Sequence, residues 1–272
     1  MPFRAKLVKG WRGTIKAILD KRPMAASFND MTVRQPRISV CMATHNGDRF
    51  IRRQLETILR QLSENDELII SDDSSTDHTV RIIESFSDSR IRLFPNQTFY
   101  SPTYNFEHAL KQAQGEIIFL SDQDDEWVEG WVDTALRVLR DVSLVVCDAD
   151  MIDAKGKVRT EPEAKIYLGI RRPGLLRNLY RNGYIGCCCA FRREVLEAAL
   201  PFPDNLPWHD WWLGLTADML FSTMFISDKM VRHRRHENNV STTGEKSSCT
   251  LWQRVDMRLR VSLALAKLRI TR

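Results

Sequence analysis

From Arg37 onward, apolar runs alternate with amphipathic stretches, and each changeover is marked by a polar turn. Ile38, Val40 and Met42 predict a first strand; the loop 44–48, THNGD, then leads into a helix whose Ile51, Leu55, Ile58, Leu59 and Leu62 form one stripe. A second strand at Leu68–Ser71 runs into DDSSTD, a helix follows with Val80, Ile83 and Phe86 inward, and Ile91–Phe94 make a short strand. A helix starting near Pro102 and stopping before Gly115 delivers the chain to an apolar run at 116–120. Beyond it, 128–140 predict a helix and Leu144–Cys147 a strand leading into DADMID. Gly183–Phe191 predict a strand, 192–200 a short helix, and 224–236 a last strand. This order predicts an α/β fold: a Rossmann-like, mostly parallel, doubly wound sheet whose loops gather at one edge.

The pattern breaks at both ends, which sets off a domain at 36–241 from segments at 1–35 and 242–272. If residues 3–19 are helical, Phe3, Leu7, Trp11, Ile15, Ile18 and Leu19 share one face, with Lys6, Lys9, Arg12 and Lys16 largely opposite. That suits a helix lying in an anionic membrane interface through residues 1–22, and equally a helix packed on its own domain. From Val255 to Leu265 apolar residues alternate as in a strand, but Leu, Ala, Arg and Lys favour helix, so 242–272 is expected to be mainly helical, with its apolar residues on two faces.

Charge sharpens this division. The net charge is +5, yet the middle of the chain is acidic and the basic surplus lies in the ends, which fits docking on an anionic surface and argues against nucleic acid as partner. Six cysteines, three of them adjacent at Cys187–Cys189, show no C-x-x-C spacing and read as small buried residues of a reduced compartment. No apolar run reaches the roughly 18 residues a bilayer span needs, so the expected location is cytoplasmic, peripheral at the inner membrane face.

The candidate chemistry lies in GEIIFLSDQDDEW, 115–127. Asp122, Asp124 and Asp125 follow directly on a buried strand, at the sheet edge where open α/β folds bind ligands. Crowded carboxylates repel unless a cation neutralises them, and oxygen ligation suits Mg²⁺ or Mn²⁺; a solvated acidic turn is the alternative. Asp72 and Asp73, and then Asp148 and Asp150, extend the pattern to three strand ends. There is no G-x-G-x-x-G after the first strand, no P-loop, no H-E-x-x-H and no G-x-S-x-G.

ISVCMATHNG, ELIISDDSSTD, GEIIFLSDQDDEW, HDWWLGL and RRHENNVS, in that order and spacing, resemble family-2 inverting glycosyltransferases of the GT-A fold, and the SDQDD and HDWW forms resemble their bacterial rhamnosyltransferase-like members. The resemblance implies that Ala43, His45, Asp72, Asp73, Asp122 and Asp124 meet the nucleotide sugar, and that Asp124, Asp125 and His236 hold Mn²⁺ or Mg²⁺. It also implies that Asp210 is the catalytic base. Trp208, Trp211 and Trp212 would raise that carboxylate's pKa by desolvation and offer flat faces to a sugar. The structural alternatives are that Asp72 or Asp73 caps the following turn, that His45 and His236 are ordinary surface histidines, and that Asp210 caps a helix among core tryptophans.

The expected function is metal-dependent inverting transfer from dTDP-rhamnose or a UDP-hexose to a hydroxyl of a bacterial surface glycan or lipid-linked saccharide. Two other classes stand beside it: a non-catalytic, membrane-recruited nucleotide-sugar binding protein, and a sugar nucleotidyltransferase, for which ATHNGDR is a poor phosphate loop.

Overall fold

The computed structural model describes residues 37–159, 172–237, 239 and 250–271, so the interfacial-helix reading of residues 3–19 lies outside the described residues. The first apolar run becomes strand β1 (Ile38–Thr44), buried from Ile38 to Cys41 on both faces, as its unbroken apolar character requires. It lies between β2 (Glu67–Asp72) and β4 (Ile117–Asp122), parallel to both, and β3 (Ile91–Phe94) continues the sheet beyond β2. On the other side of β4 the direction changes. Strand β7 (Cys189–Arg192) is antiparallel to β4 and to β6 (Leu144–Ile152), which pairs parallel with β8 (Thr223–Arg234). A two-residue strand, β5 (Glu126–Trp127), closes the order β3-β2-β1-β4-β7-β6-β8-β5.

This topology assembles the site. Strands β1, β2, β4, β6 and β8 all point the same way, so Thr44, Asp72, Asp122 and Arg234 end at one edge, and antiparallel β7 starts there. In register, Ala43 pairs with Ser71 on one side and Asp122 on the other. The two acidic motifs, fifty residues apart in sequence, thus flank one strand end.

Helices hold the sheet in place. Helix α1 (Ile51–Leu59) buries Ile51, Leu55, Ile58 and Leu59, spaced for one face of a 3.6-residue period. Burying each such side chain contributes roughly 1.5–3 kcal/mol. Helix α2 (Thr79–Glu84) packs on α1, and α3 (Pro102–Gln112), opened by Pro102 at its first turn, packs on β1 and β2. Helices α4 (Trp131–Val138), α5 (Leu175–Tyr180), α6 (Arg193–Ala199) and α7 (His209–Leu220) follow. Gly115 ends no helix, since the cap of α3 is Ala113; its Cα instead faces β1, where a Cβ would come within 2.6 Å of the Ser39 nitrogen.

The structure corrects two further expectations. Strand β6 does not stop at Cys147 but runs through DADMI, so Asp148 and Asp150 pair along β8 rather than forming a third acidic loop, and Asp150 takes an ion pair from Lys229 at 2.6 Å. Of the run 183–191 only the last three residues are strand, as the start of β7 (Cys189–Arg192), and Gly186–Cys188 is a single 3-10 turn. The sequence also missed α5 and β5. In the C-terminal segment the structure has a helix, α8 (Leu251–Thr271). Among the described residues no helix is long and apolar enough to cross a membrane.

Candidate active site

At the mouth of the sheet, the loop after β1 and the loop after β4 are joined by one side chain. Gln123 accepts from the His45 amide at 2.9 Å and donates back to the His45 carbonyl at 3.0 Å. Gly47 makes room for it, since a Cβ there would sit 2.3 Å from the Gln123 Oε1. The His45 ring is fixed as well: Nδ1 donates to the Asp73 carbonyl at 2.6 Å, which leaves Nε2 to accept from Asn46 at 3.1 Å.

Asp72 ends β2, Asp73 follows it, and both are buried. The Asp72 carboxylate accepts from Thr44 at 2.8 Å and from the Ser75 amide and hydroxyl at 2.9 and 2.6 Å, which makes it the cap of its turn. The Asp73 carboxylate accepts the amides of Phe99 and Ser101 at 2.7 and 3.1 Å, drawing the segment 95–101 over the strand ends. The capping alternative therefore describes Asp72, while Asp73 anchors a covering loop.

The acidic box divides into an outer and an inner layer. In the outer layer, the Asp124 carboxylate accepts from His236 Nε2 at 2.8 Å and from Asn239 at 3.0 Å, and His236 packs on Phe50 with ring centroids 4.7 Å apart. In the inner layer, Asp125 is sealed from solvent, 3.1 Å from His233 Nδ1, and accepts the Arg234 amide at 2.9 Å. Burial by itself would raise Asp125, but the charge and hydrogen bond of His233 win and hold it low, while the same pairing raises His233 against its own desolvation. Arg234 locks the box from behind: its guanidinium donates to the Asp124 carbonyl at 2.8 Å, the Asp153 carbonyl at 3.1 Å and Glu126 at 2.6 Å. Asp122 lies between the layers. Burial, and then the charges of Asp125 and Asp124, push its carboxyl well above the usual carboxylate range.

Among the described residues one donor set for a metal has its ligand atoms gathered together. Asp122, Asp125, Cys187 and His233 have ligand atoms within 4.8 Å of one another. However, Asp125 and Cys187 are sealed, and hydrogen bonding with Cys188 together with burial keeps Cys187 a thiol, a poor partner for a hard cation. Nearer the surface, Asp124 and His236 are hydrogen-bonded to each other at 2.8 Å, and the Asp124 charge reaches Asp122. There a cation would take the place of the proton between Asp124 and His236 and relieve the repulsion on Asp122. Carboxylate and imidazole donors of this kind have the chemistry that a divalent cation takes.

Helix α7 brings the remaining group. Asp210, in its first turn, accepts the Trp211 amide at 2.6 Å and the Gly186 amide at 3.2 Å. Burial raises its carboxyl to about 6, and those two amides limit the rise. Its charge is also felt by Asp122, so the base candidate and the acidic box share one field. The turn 186–188 is the wall between them: Gly186 holds Asp210, and Cys187 Sγ lies 3.7 Å from His233. His209 stacks on Phe106 with centroids 4.0 Å apart, and burial lowers its pKa to about 3, so it is a neutral wall.

The three tryptophans separate. Trp211 and Trp212 are buried, and their indole N–H groups donate to the carbonyls of Asn178 and Ala199 at 2.8 and 2.9 Å. Both are core, which corrects their expected part in sugar binding. Only Trp208, 46% exposed, offers a face to a ligand. Sequence reasoning missed Gln123, Gly186, Cys187, His233 and Arg234. The HRRH run carried a signal for Arg234 alone, which stands two positions before His236, because alternate residues near a strand end face the same side; His233 has the opposite parity.

The family described as Glycosyl transferase family 2 matches residues 39–200. The chain is 25% identical over 224 residues to UDP-Glc:alpha-D-GlcNAc-diphosphoundecaprenol beta-1,3-glucosyltransferase WfgD of Escherichia coli, covering 79% of this chain and 83% of that one. It is 27% identical over 214 residues to dTDP-rhamnosyl transferase RfbG of Shigella flexneri, covering 73% and 72%. Among solved structures, S. aureus TarS 1-349 in complex with UDP-GlcNAc superposes with a TM-score of 0.65 at 19% identity; the match covers 84% of this chain and 66% of that chain.

Proposed function

The chain belongs to glycosyl transferase family 2, with a GT-A fold, and on that premise we propose that it is a metal-dependent inverting enzyme acting on a lipid-linked saccharide at the cytoplasmic face of the membrane. The observation that carries the chemistry is Asp210: a carboxyl raised to about 6 at the same sheet edge as the acidic box, so that it is ionised at neutral pH yet basic enough to accept a proton. The nucleotide of the donor lies against the hydrogen-bonded pair His45 and Asp73, beneath the segment 95–101. Asp122, Asp124 and His236 hold the divalent cation, backed by Asp125. When bound, the cation neutralises the diphosphate and favours its departure.

The acceptor hydroxyl lies against Asp210. As its oxygen attacks the anomeric carbon, Asp210 takes the proton, and the bond from that carbon to the diphosphate oxygen breaks on the opposite face, the electron pair leaving with the nucleoside diphosphate. One displacement with one base inverts the anomeric centre. Trp208 stacks on the acceptor sugar.

The names of the two relatives carry UDP-Glc and dTDP-rhamnose, so the donor proposed for this chain is a pyrimidine-nucleotide hexose. The lipid-linked acceptor follows from the diphosphoundecaprenol substrate named for WfgD. The test is a panel of UDP-, dTDP- and GDP-sugars with Mn²⁺, a prenyl-diphosphate saccharide acceptor, and NMR of the new linkage. Inverted product from one donor supports the reading. Tight nucleotide binding without transfer to any acceptor would instead identify a binding protein.

A further inference from the structure

Helix α8 presents two apolar faces, and only one of them is used by the domain. Val261 and Leu265 are buried, at 2% and 5% exposure, with Leu268 partly so, where the helix packs against α5 and α7. Arg258 pins this contact, donating to the carbonyls of Leu179 and Tyr180 at 3.3 and 2.6 Å. On the opposite side, Trp252, Val255, Leu259, Leu263 and Ile270 are exposed, four of them by more than half: 82% for Trp252, 58% for Leu259, 64% for Leu263 and 84% for Ile270. At 100° per residue these five fall within an arc of roughly 80°, centred about half a turn from Val261 and Leu265. A row of large apolar side chains spanning five turns, turned straight out to water, is not how a surface helix of a soluble domain is built.

The charges around the row say what covers it. Helix α8 carries Arg254, Arg258, Arg260, Lys267 and Arg269 against Asp256 as its one acid. On the helical wheel Lys267 flanks the apolar row on one side and Arg269 on the other, while Asp256 and Arg260, on the Lys267 side, neutralise each other in an ion pair at 2.8 Å. The neighbouring α5 continues the character: Leu176 and Tyr180 are exposed, and Arg177 and Arg181 stand beside them at the surface. Apolar side chains bordered by long basic ones, whose stems reach along the apolar surface while their heads stay at phosphate level, match an anionic bilayer and not a neutral protein groove.

We propose that the outward face of α8, with the exposed residues of α5 beside it, is a docking surface for an anionic lipid bilayer: Trp252, Leu259, Leu263 and Ile270 enter the headgroup and acyl boundary, and Lys267 and Arg269, with Arg177 and Arg181 of α5, meet the lipid phosphates. The helix lies flat on the membrane while its inner face holds the catalytic domain. This deepens, and rests on, the membrane-surface part of the function proposed above. Docking is measured without turnover, so its failure leaves the transfer chemistry standing, and a failure of transfer leaves docking intact.

The experiment is co-sedimentation of the full chain with vesicles of phosphatidylglycerol and phosphatidylethanolamine, and separately with phosphatidylcholine vesicles. The intact chain binds the anionic vesicles and binds phosphatidylcholine weakly. Leu259→Glu with Leu263→Glu, both at exposed positions, lowers the partition coefficient by about tenfold or more; Lys267→Gln with Arg269→Gln lowers it less and only at low salt. Should the double Glu variant lose its circular dichroism, quenching by brominated lipid takes its place: the signal lost on Trp252→Phe reports whether that ring enters the bilayer. Unchanged vesicle binding in the folded double Glu variant overturns the proposal and assigns binding to the N-terminal segment. So does a chain that ignores vesicles but forms a dimer which the double Glu variant dissociates, because the face then belongs to a second copy.

Discussion

The side-chain amide of Gln123 is paired with the backbone of His45 through two hydrogen bonds, 2.9 and 3.0 Å, across a gap of 78 residues. This bridge ties the acidic box to the loop after β1, so in the proposed mechanism a donor held by one loop is positioned relative to the other. Gly47 is the condition for it, because any side chain there would occupy the place of the Gln123 carboxamide.

Gln123→Ala removes both bonds and is expected to cost about 1–2 kcal/mol of loop order, read as a five- to thirtyfold rise in the KM for the nucleotide sugar with a smaller change in kcat. Gly47→Ala displaces the same side chain and gives the same kinetic signature, whereas Gln123→Glu keeps one acceptor and falls between. Isothermal titration with UDP or dTDP checks the ordering.

Asp210→Asn is expected to lower kcat by at least a hundredfold, the scale of a positioned general base, with donor affinity retained. In the wild type, kcat/KM falls tenfold per pH unit below about pH 6, where the raised carboxyl becomes protonated, and levels off above. The same shift has a cost in stability. A carboxyl that rises from 3.8 unfolded to about 6 folded favours folding when protonated, and that contribution is lost as pH rises through 6. Asp210→Asn therefore gains about 1–3 kcal/mol over the wild type at pH 8 and little at pH 4. Chemical denaturation at the two pH values measures the difference.

Removing divalent cations with EDTA should abolish transfer, and Mn²⁺ or Mg²⁺ should restore it. Asp124→Ala removes the outer carboxylate and should leave no restoration at millimolar metal, with the fold intact. Asp125→Ala should behave differently. It leaves His233 buried without its counter-charge, at a cost of roughly 3–5 kcal/mol, so it lowers the melting temperature as well as activity.

The tryptophans give a contrast within one helix start. Trp212→Ala opens a core cavity and should cost about 3–5 kcal/mol in stability. Trp208→Ala loses only a tilted ring contact with Trp211, centroids 6.2 Å apart, and should leave stability within about 1 kcal/mol, while raising the acceptor KM three- to tenfold, the value of one aromatic stack. A Trp208 variant with an unchanged acceptor KM would remove that residue from the acceptor site.

What the sequence determined by itself is whatever depends on near neighbours. The period of Ile51, Leu55 and Ile58 marked α1, the apolar run before Asp122 marked β4, and the density of carboxylates marked the metal edge, because periodicity and charge crowding are properties of a dozen consecutive residues. Sheet order decided the rest. Which histidine meets which aspartate, His236 on Asp124 and His233 on Asp125, depends on the end of β8 arriving at the β4 loop from more than a hundred residues away. Trp208 is exposed while Trp211 and Trp212 are core because α7 turns its flank onto Asn178 and Ala199, which no local pattern announces. Asp148 and Asp150 look like a loop by composition, and only pairing with β8 makes them strand. The two apolar faces of α8 were readable as periodicity; which one faces the domain and which faces outward was fixed by packing alone.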